Sequence, residues 1–212
     1  YGTRTTEEVR VLTLNAAAML YERGIKALVV ACNTATSAAI GDLRQRYPDA
    51  IIVGIEPALK LAADRFPAGH IGIMATQVTL REEKLSQQLA RFPGVQVAKI
   101  PAPGLVELIE KGKADAPETK ALLQDILMPY KGKLDALVLG CTHYPFAKNS
   151  IANILGESTL LVDGSEGTAR QTQRLLEQAD LLNSGQGSVT IENSLGTPEI
   201  LMLSYDFLEC NL

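Results

Sequence analysis

The chain has 212 residues, 46% of them hydrophobic and 21% charged: enough apolar material for one large α/β domain or two small ones, and too much for a disordered chain. Twenty basic residues against 24 acidic ones give a net charge of −4, and no Lys/Arg-rich run marks a nucleic-acid or anionic-membrane surface. The longest apolar runs are far below membrane-spanning length, and the chain opens at Tyr1 rather than Met, without signal-peptide architecture, so an upstream segment is expected.

Thr5 stands three residues before Glu8, the spacing of a capping box, and predicts a helix over 5–23. Val9, Leu12, Ala16, Met19 and Leu20 form its apolar face, and Gly24 ends it. Residues 26–31 read as a buried strand, being a short apolar run without alternation. A helix over 36–47, a strand over 51–54 and a helix from Pro57 to about Phe66 follow. The pattern then repeats: strand 70–75, helix 80–92, strand 95–100, helices 105–111 and 118–128, strand 135–140. Helix 146–155, strand 159–162 and helix 166–183 complete it, with weaker strands expected at 189–191 and 200–202. Strands separated by helix-length segments predict an α/β protein with largely parallel sheets.

Three cysteines, Cys32, Cys141 and Cys210, are an odd number in a chain without an export signal, so reduced thiols in a cytoplasmic protein are expected. They are spaced too widely for a short metal-ligand motif, and only two histidines could help them, so no metal site is expected. An internal echo singles out two of them. Ala27-Leu28-Val29-Val30-Ala31-Cys32 and Ala136-Leu137-Val138-Leu139-Gly140-Cys141 match at four of six positions, 109 residues apart. Two similar halves would then each present one thiol at the carboxyl end of a strand, where α/β proteins bind ligands. Free N–H groups at the helix starts after Cys32-Asn33-Thr34 and Cys141-Thr142-His143 suit a carboxylate or phosphate. The bland reading of either cysteine alone is a small packed hydrophobe; the matching flanks argue against it for the pair. His143, two residues from Cys141, is placed to lower that thiol's pKa toward neutrality and make it a base. His70 reads as a surface residue, and Cys210 is assigned nothing.

Ala31-Cys32-Asn33-Thr34-Ala35 together with Gly140-Cys141-Thr142-His143-Tyr144-Pro145 resembles the two signature segments of bacterial glutamate racemases. Tyr1-Gly2-Thr3-Arg4, Gly54-Ile55-Glu56-Pro57 and Ile71-Gly72-Ile73-Met74-Ala75-Thr76 resemble further runs of that family, and the likeness extends over residues 1 to about 180. The Thr-His after the second cysteine favours glutamate over aspartate racemases. The resemblance implies two similar three-layer α/β/α domains with the active site between them. Residues 1–69 plus 164–212 would form the first, lacking its N-terminal strand, and 70–163 the second.

It also implies racemisation without a cofactor, by two thiols on opposite faces of the α-carbon. Cys32 would deprotonate D-glutamate and Cys141 L-glutamate, with His143 assisting and Glu110 near the second thiol. Tyr1, Gly2, Asn33, Thr34, Thr142 and His143 match the family's substrate contacts, and Thr76 is a further candidate. The product would supply peptidoglycan synthesis. The family often dimerises, although no stretch of this sequence marks a dimer surface. Its N-terminal strand ending in Asp-Ser-Gly is absent here, a loss of about 30 to 40 residues on the scale of a βαβ unit. The sequence from 185 to 212 lacks the expected ending. Activity of the chain as it stands is therefore expected to be weak or nil. A racemase of aspartate or a hydantoin, a Cys141–His143 amide hydrolase and a non-catalytic small-molecule binder are the competing readings.

Overall fold

A computed structural model describes residues 1, 4–81 and 83–209, apart from the side chain at position 84. Gly2 and Cys210 lie outside the described residues. In chain order the elements are α1 (Thr6–Glu22), β1 (Ala27–Val30), α2 (Asn33–Arg46), β2 (Ile51–Gly54), α3 (Leu59–Arg65) and β3 (His70–Ala75). Next come α4 (Gln77–Arg81), α5 (Glu83–Leu89), β4 (Gln96–Pro101), α6 (Leu105–Ile109), α7 (Pro117–Leu127) and β5 (Ala136–Leu139). The last are α8 (Lys148–Leu155), β6 (Leu160–Asp163), α9 (Ser165–Gln178) and α10 (Pro198–Glu209).

The architecture is α/β with two parallel sheets, β1-β2 and β4-β3-β5-β6. Alternation along the strands of the second sheet builds a core on each of its faces. Ile71, Ile73, Ala75, Ala136 and Val138 face one way, against Leu59, Ala62 and Leu80. Met74, Leu137 and Leu139 face the other, against Leu105, Leu123 and Ile151 of α6, α7 and α8. Around the first sheet, Val9 and Ala17 of α1 and Ala35, Ala39 and Leu43 of α2 close over Leu28 and Val30. Helix α9 packs on β1 and β2 as well.

The capping box forms as expected: Glu8 N–H donates to Thr5 Oγ1 at 3.2 Å, and Thr5 N–H donates to Glu8 Oε2 at 2.8 Å. The buried stripe of α1 differs from the expected face. Val9, Thr13 and Ala17 turn inward at four-residue spacing, while Leu12, Met19 and Leu20 are exposed. Small residues let α1 approach α2 closely, and that closeness outweighs side-chain hydrophobicity at these positions. The strands expected at 189–191 and 200–202 are absent: the first stretch has no regular structure and the second lies inside α10. Pro198 opens that helix, and Phe207 stacks on Phe146 with ring centroids 4.2 Å apart, so tertiary packing settles an apolar run too short to read by period.

The chain passes between the two sheets twice, and the passages meet. Residues 55–58 lead from β2 into α3, and Gly164 leads from β6 into α9. Helix α3 packs on the second sheet, as Phe207 of α10 also does. A Cβ at Gly164 would lie 2.4 Å from the Glu56 carbonyl oxygen, so only glycine permits this contact. Gly164→Ala is expected to lower stability by about 1–3 kcal/mol, read as a lower urea midpoint at unchanged slope.

Candidate active site

Both strand-end thiols sit where the parallel sheets expose free backbone. After β1, Cys32 is the N-cap of α2, and its Sγ accepts the Ala35 N–H at 3.5 Å. The helix therefore starts at Asn33, three residues before its expected start. After β5, Gly140 N–H donates to the Met74 carbonyl at 2.7 Å, and a Cβ there would come within 2.9 Å of the Ala75 Cβ. Gly140 thus lets β5 end tight against β3 and turns the chain at Cys141. A 3₁₀ turn, Tyr144–Ala147, follows before α8.

Cys141, His143 and Glu110 form a chain of contacts. Cys141 Sγ lies 3.8 Å from His143 Nδ1, and His143 Nε2 lies 3.1 Å from Glu110 Oε1. An ionised carboxylate only accepts, so in the neutral imidazole Nε2–H donates to Glu110 and the bare Nδ1 faces the thiol. Although only half-buried, Cys141 packs against the core beside β5, and this desolvation pushes its thiol up to about 11. Backbone hydrogen bonds at His143 and Tyr144 pull it down, while the nearby Cys32 pushes it up. The expected lowering toward neutrality is thus reversed, because loss of water outweighs the backbone hydrogen bonds at His143 and Tyr144.

This shift ties stability to pH. The native chain holds the Cys141 proton up to about pH 11, whereas an ordinary thiol releases it near 9.0. The unfolded state then binds fewer protons in that window, so stability falls as pH rises from about 9 to 11, by on the order of 2–3 kcal/mol. Urea unfolding at stepped pH checks this. Cys141→Ser is expected to flatten that part of the profile.

The other sequence-predicted residues divide into two groups. Tyr1, 46% exposed, lines a cleft of about 870 Å³ together with Thr76, Glu107, Glu110 and Tyr144. Thr142 is half-buried beside Cys141, and its side chain has no hydrogen bond among the described residues. Asn33 and Thr34 instead face the seam between the two sheets. Asn33 is 5% exposed, and its buried Oδ1 has no hydrogen-bond partner among the described residues. It borders a cavity of about 10 Å³ with Ser37, Glu56 and Gln88. The Thr34 hydroxyl, 3% exposed, lies 3.2 Å from both the Thr76 and Thr79 hydroxyls.

Thr79 was not singled out from the sequence. Its one sequence signal is the Thr76-x-x-Thr79 spacing at a strand end, where Thr79 N–H donates to Thr76 Oγ1 at 3.3 Å. Neither thiol lines the cleft at Tyr1 or a second one, of about 580 Å³ among β2, α3 and α9; the first reaches the Cys141 relay through Glu110. Among the described residues no cluster of three His, Cys, Asp or Glu side chains is arranged to hold a metal. No helix among them is long and apolar enough to cross a membrane.

The sequence from 2 to 172 matches the family model of Asp/Glu/hydantoin racemases. The chain is 48% identical to the glutamate racemase of Clostridium kluyveri over 213 residues, spanning 99% of this chain and 83% of that protein. It superposes on Escherichia coli glutamate racemase in complex with L-glutamate and the activator UDP-MurNAc-Ala, with TM-score 0.83 and 28% identity. That match covers 98% of this chain and 80% of the other. Thermus thermophilus glutamate racemase, in complex with β-chloro-D-alanine, aligns with TM-score 0.77 and 33% identity over 96% of this chain and 78% of that one.

Proposed function

Because the chain belongs to the Asp/Glu/hydantoin racemase family, we propose that it interconverts L- and D-glutamate by a two-thiol mechanism that uses no cofactor. The observation that carries this reading is the pair of thiols just past the carboxyl ends of β1 and β5, with a His143–Glu110 relay behind Cys141. Inversion at a carbon needs a base on one face and an acid on the other, with the roles exchanged in reverse.

Starting from D-glutamate, the Cys32 thiolate takes the α-proton, the electron pair stays on the α-carbon, and the Cys141 thiol delivers its proton to the opposite face. Starting from L-glutamate, Cys141 must first be a thiolate. His143 Nδ1 then takes its proton, and Glu110 holds the imidazole through Nε2 and stabilises the imidazolium that forms. The substrate ammonium, brought close to the thiols, favours the same ionisation. Tyr1, Gly2, Thr142 and His143 hold the substrate. Asn33 and Thr34 contribute backbone N–H groups at the start of α2, which suit a carboxylate. D-Glutamate would serve peptidoglycan synthesis in the cytoplasm. The family resemblance admits a homodimer, and none of these steps requires one.

The test is incubation with L- or D-glutamate in D₂O. Exchange of the α-hydrogen with inversion is expected, faster than with aspartate. The deciding comparison is a form extended upstream of Tyr1: if that form exchanges neither enantiomer, or prefers aspartate, the assignment is overturned.

A further inference from the structure

Where the two halves of the molecule meet beside the thiols, they meet through hydroxyls. Thr34 stands two residues after Cys32, in the first turn of α2. Thr76 and Thr79 belong to the end of β3 and to α4, on the half that carries Cys141. The three hydroxyls form a closed triangle, with Thr34–Thr76 at 3.2 Å, Thr34–Thr79 at 3.2 Å and Thr76–Thr79 at 3.1 Å. Thr79 is the deepest of them, 2% exposed. Its hydroxyl is held by the other two, and its N–H donates to Thr76 Oγ1.

The geometry points to Thr79 as a positioning residue for Cys32: its buried hydroxyl, bonded to both Thr34 and Thr76, sets the start of α2, and with it Cys32 Sγ, against the half that carries Cys141. Its other anchors agree with this. Thr36 Oγ1 donates to the Val30 carbonyl at 3.0 Å, fixing the first turn of α2 to its own strand. Across the halves, the same seam also carries the Gln88 side-chain N–H donating to Glu56 at 2.7 Å. The hydroxyl triangle joins the halves at Thr34, two residues after Cys32. A buried hydroxyl left without its partners is costly, so the triangle holds one arrangement of the two halves.

This inference rests on the proposed racemase reading, and the test separates the two. Racemisation needs both thiols. Loss of HCl from β-chloroalanine needs only one: the thiolate takes the α-proton, the Cα–H electron pair becomes the Cα=Cβ bond, and chloride leaves with the C–Cl pair. The aminoacrylate then hydrolyses with water to pyruvate and ammonium. On the proposed roles, the D-enantiomer is processed by Cys32 and the L-enantiomer by Cys141.

Thr79→Val keeps the shape and removes the hydroxyl. It is expected to slow racemisation about 30- to 100-fold in both directions, the scale of an ångström's misplacement. Elimination from β-chloro-D-alanine should fall to a similar degree, while elimination from the L-enantiomer stays within about threefold of wild type, and Thr79→Ser should restore both. If Thr79→Val does not fold, Thr79→Ala compared with Thr79→Ser isolates the hydroxyl. Equal losses for the two enantiomers, or no loss, overturn the positioning role while leaving the racemase reading intact. A wild-type protein extended upstream of Tyr1 that neither racemises glutamate nor eliminates from either enantiomer overturns both.

Discussion

Replacing either Cys32 or Cys141 by alanine is expected to lower glutamate racemisation by about a thousandfold or more, equally in both directions, with far-ultraviolet circular dichroism unchanged. The size follows from removing a proton-transfer group outright, a loss on the order of 10²–10⁴-fold for a single general acid or base. The symmetry follows from thermodynamics: the enantiomers are equal in free energy, so kcat/KM must match in the two directions whichever thiol is lost. The single variants should separate when proton removal alone is followed. With Cys141 gone, Cys32 still faces the α-hydrogen of D-glutamate, and slow exchange from that enantiomer is expected to outlast exchange from L-glutamate; with Cys32 gone, the preference inverts. Chiral chromatography and proton NMR in D₂O read both quantities. Variants that keep full racemisation would remove these thiols from the chemistry.

His143→Asn is expected to cost about a hundredfold in kcat with a smaller change in KM, within the range for one assisting acid–base group. Burial holds the Cys141 thiol up to about 11, so at neutral pH that residue rests protonated. It is ready to act as the acid and has to be helped to become the base. His143 Nδ1 is the proton acceptor facing it, 3.8 Å away. Without that imidazole, Cys141 ionises only by releasing its proton to solvent, and the rate of L-glutamate deprotonation should rise with pH toward the thiol's own value. A steeper alkaline limb in the pH profile of His143→Asn is the expected sign. Glu110→Gln keeps an acceptor at Nε2 but removes the charge that stabilises the imidazolium, so a milder loss of about tenfold is expected. A flat response to His143→Asn would mean that the relay orients nothing.

Local signals in the sequence carried some of this structure well and some poorly, for identifiable reasons. The capping box at Thr5 and Glu8 is a three-residue pattern with one geometry, and it formed as written. The alternation of buried strands and helices announced parallel α/β layers. The inward face of α1 was misread because close helix approach selected Thr13 and Ala17 over larger apolar neighbours. The stretch 200–202 is too short to have a period of its own, and Phe146 supplied the partner that made it helical. At the site, the matched strand ends made Cys32, Cys141 and His143 visible, because each motif is contiguous. Glu110 meets His143 from a different helix, and only a family likeness pointed to it. The raised Cys141 thiol and the hydroxyl triangle at Thr79 depend on what surrounds those residues in space, which no linear motif records.

The placement of α9 has a consequence for how the molecule is made. Everything packed on the second sheet between Leu59 and Asp163 is contiguous in the chain and finishes emerging before Ser165 does. The first sheet is not in that position, because β1 and β2 have to wait for α9, encoded more than a hundred residues later, to cover them. During synthesis the half carrying Cys141 can settle apart from the later contact of Phe207, while the half carrying Cys32 stays open until the ribosome has released residues 165–178. The apposed thiols are thus a late product of translation, and a ribosome stalled before α9 would hold a chain with one half built and no working centre.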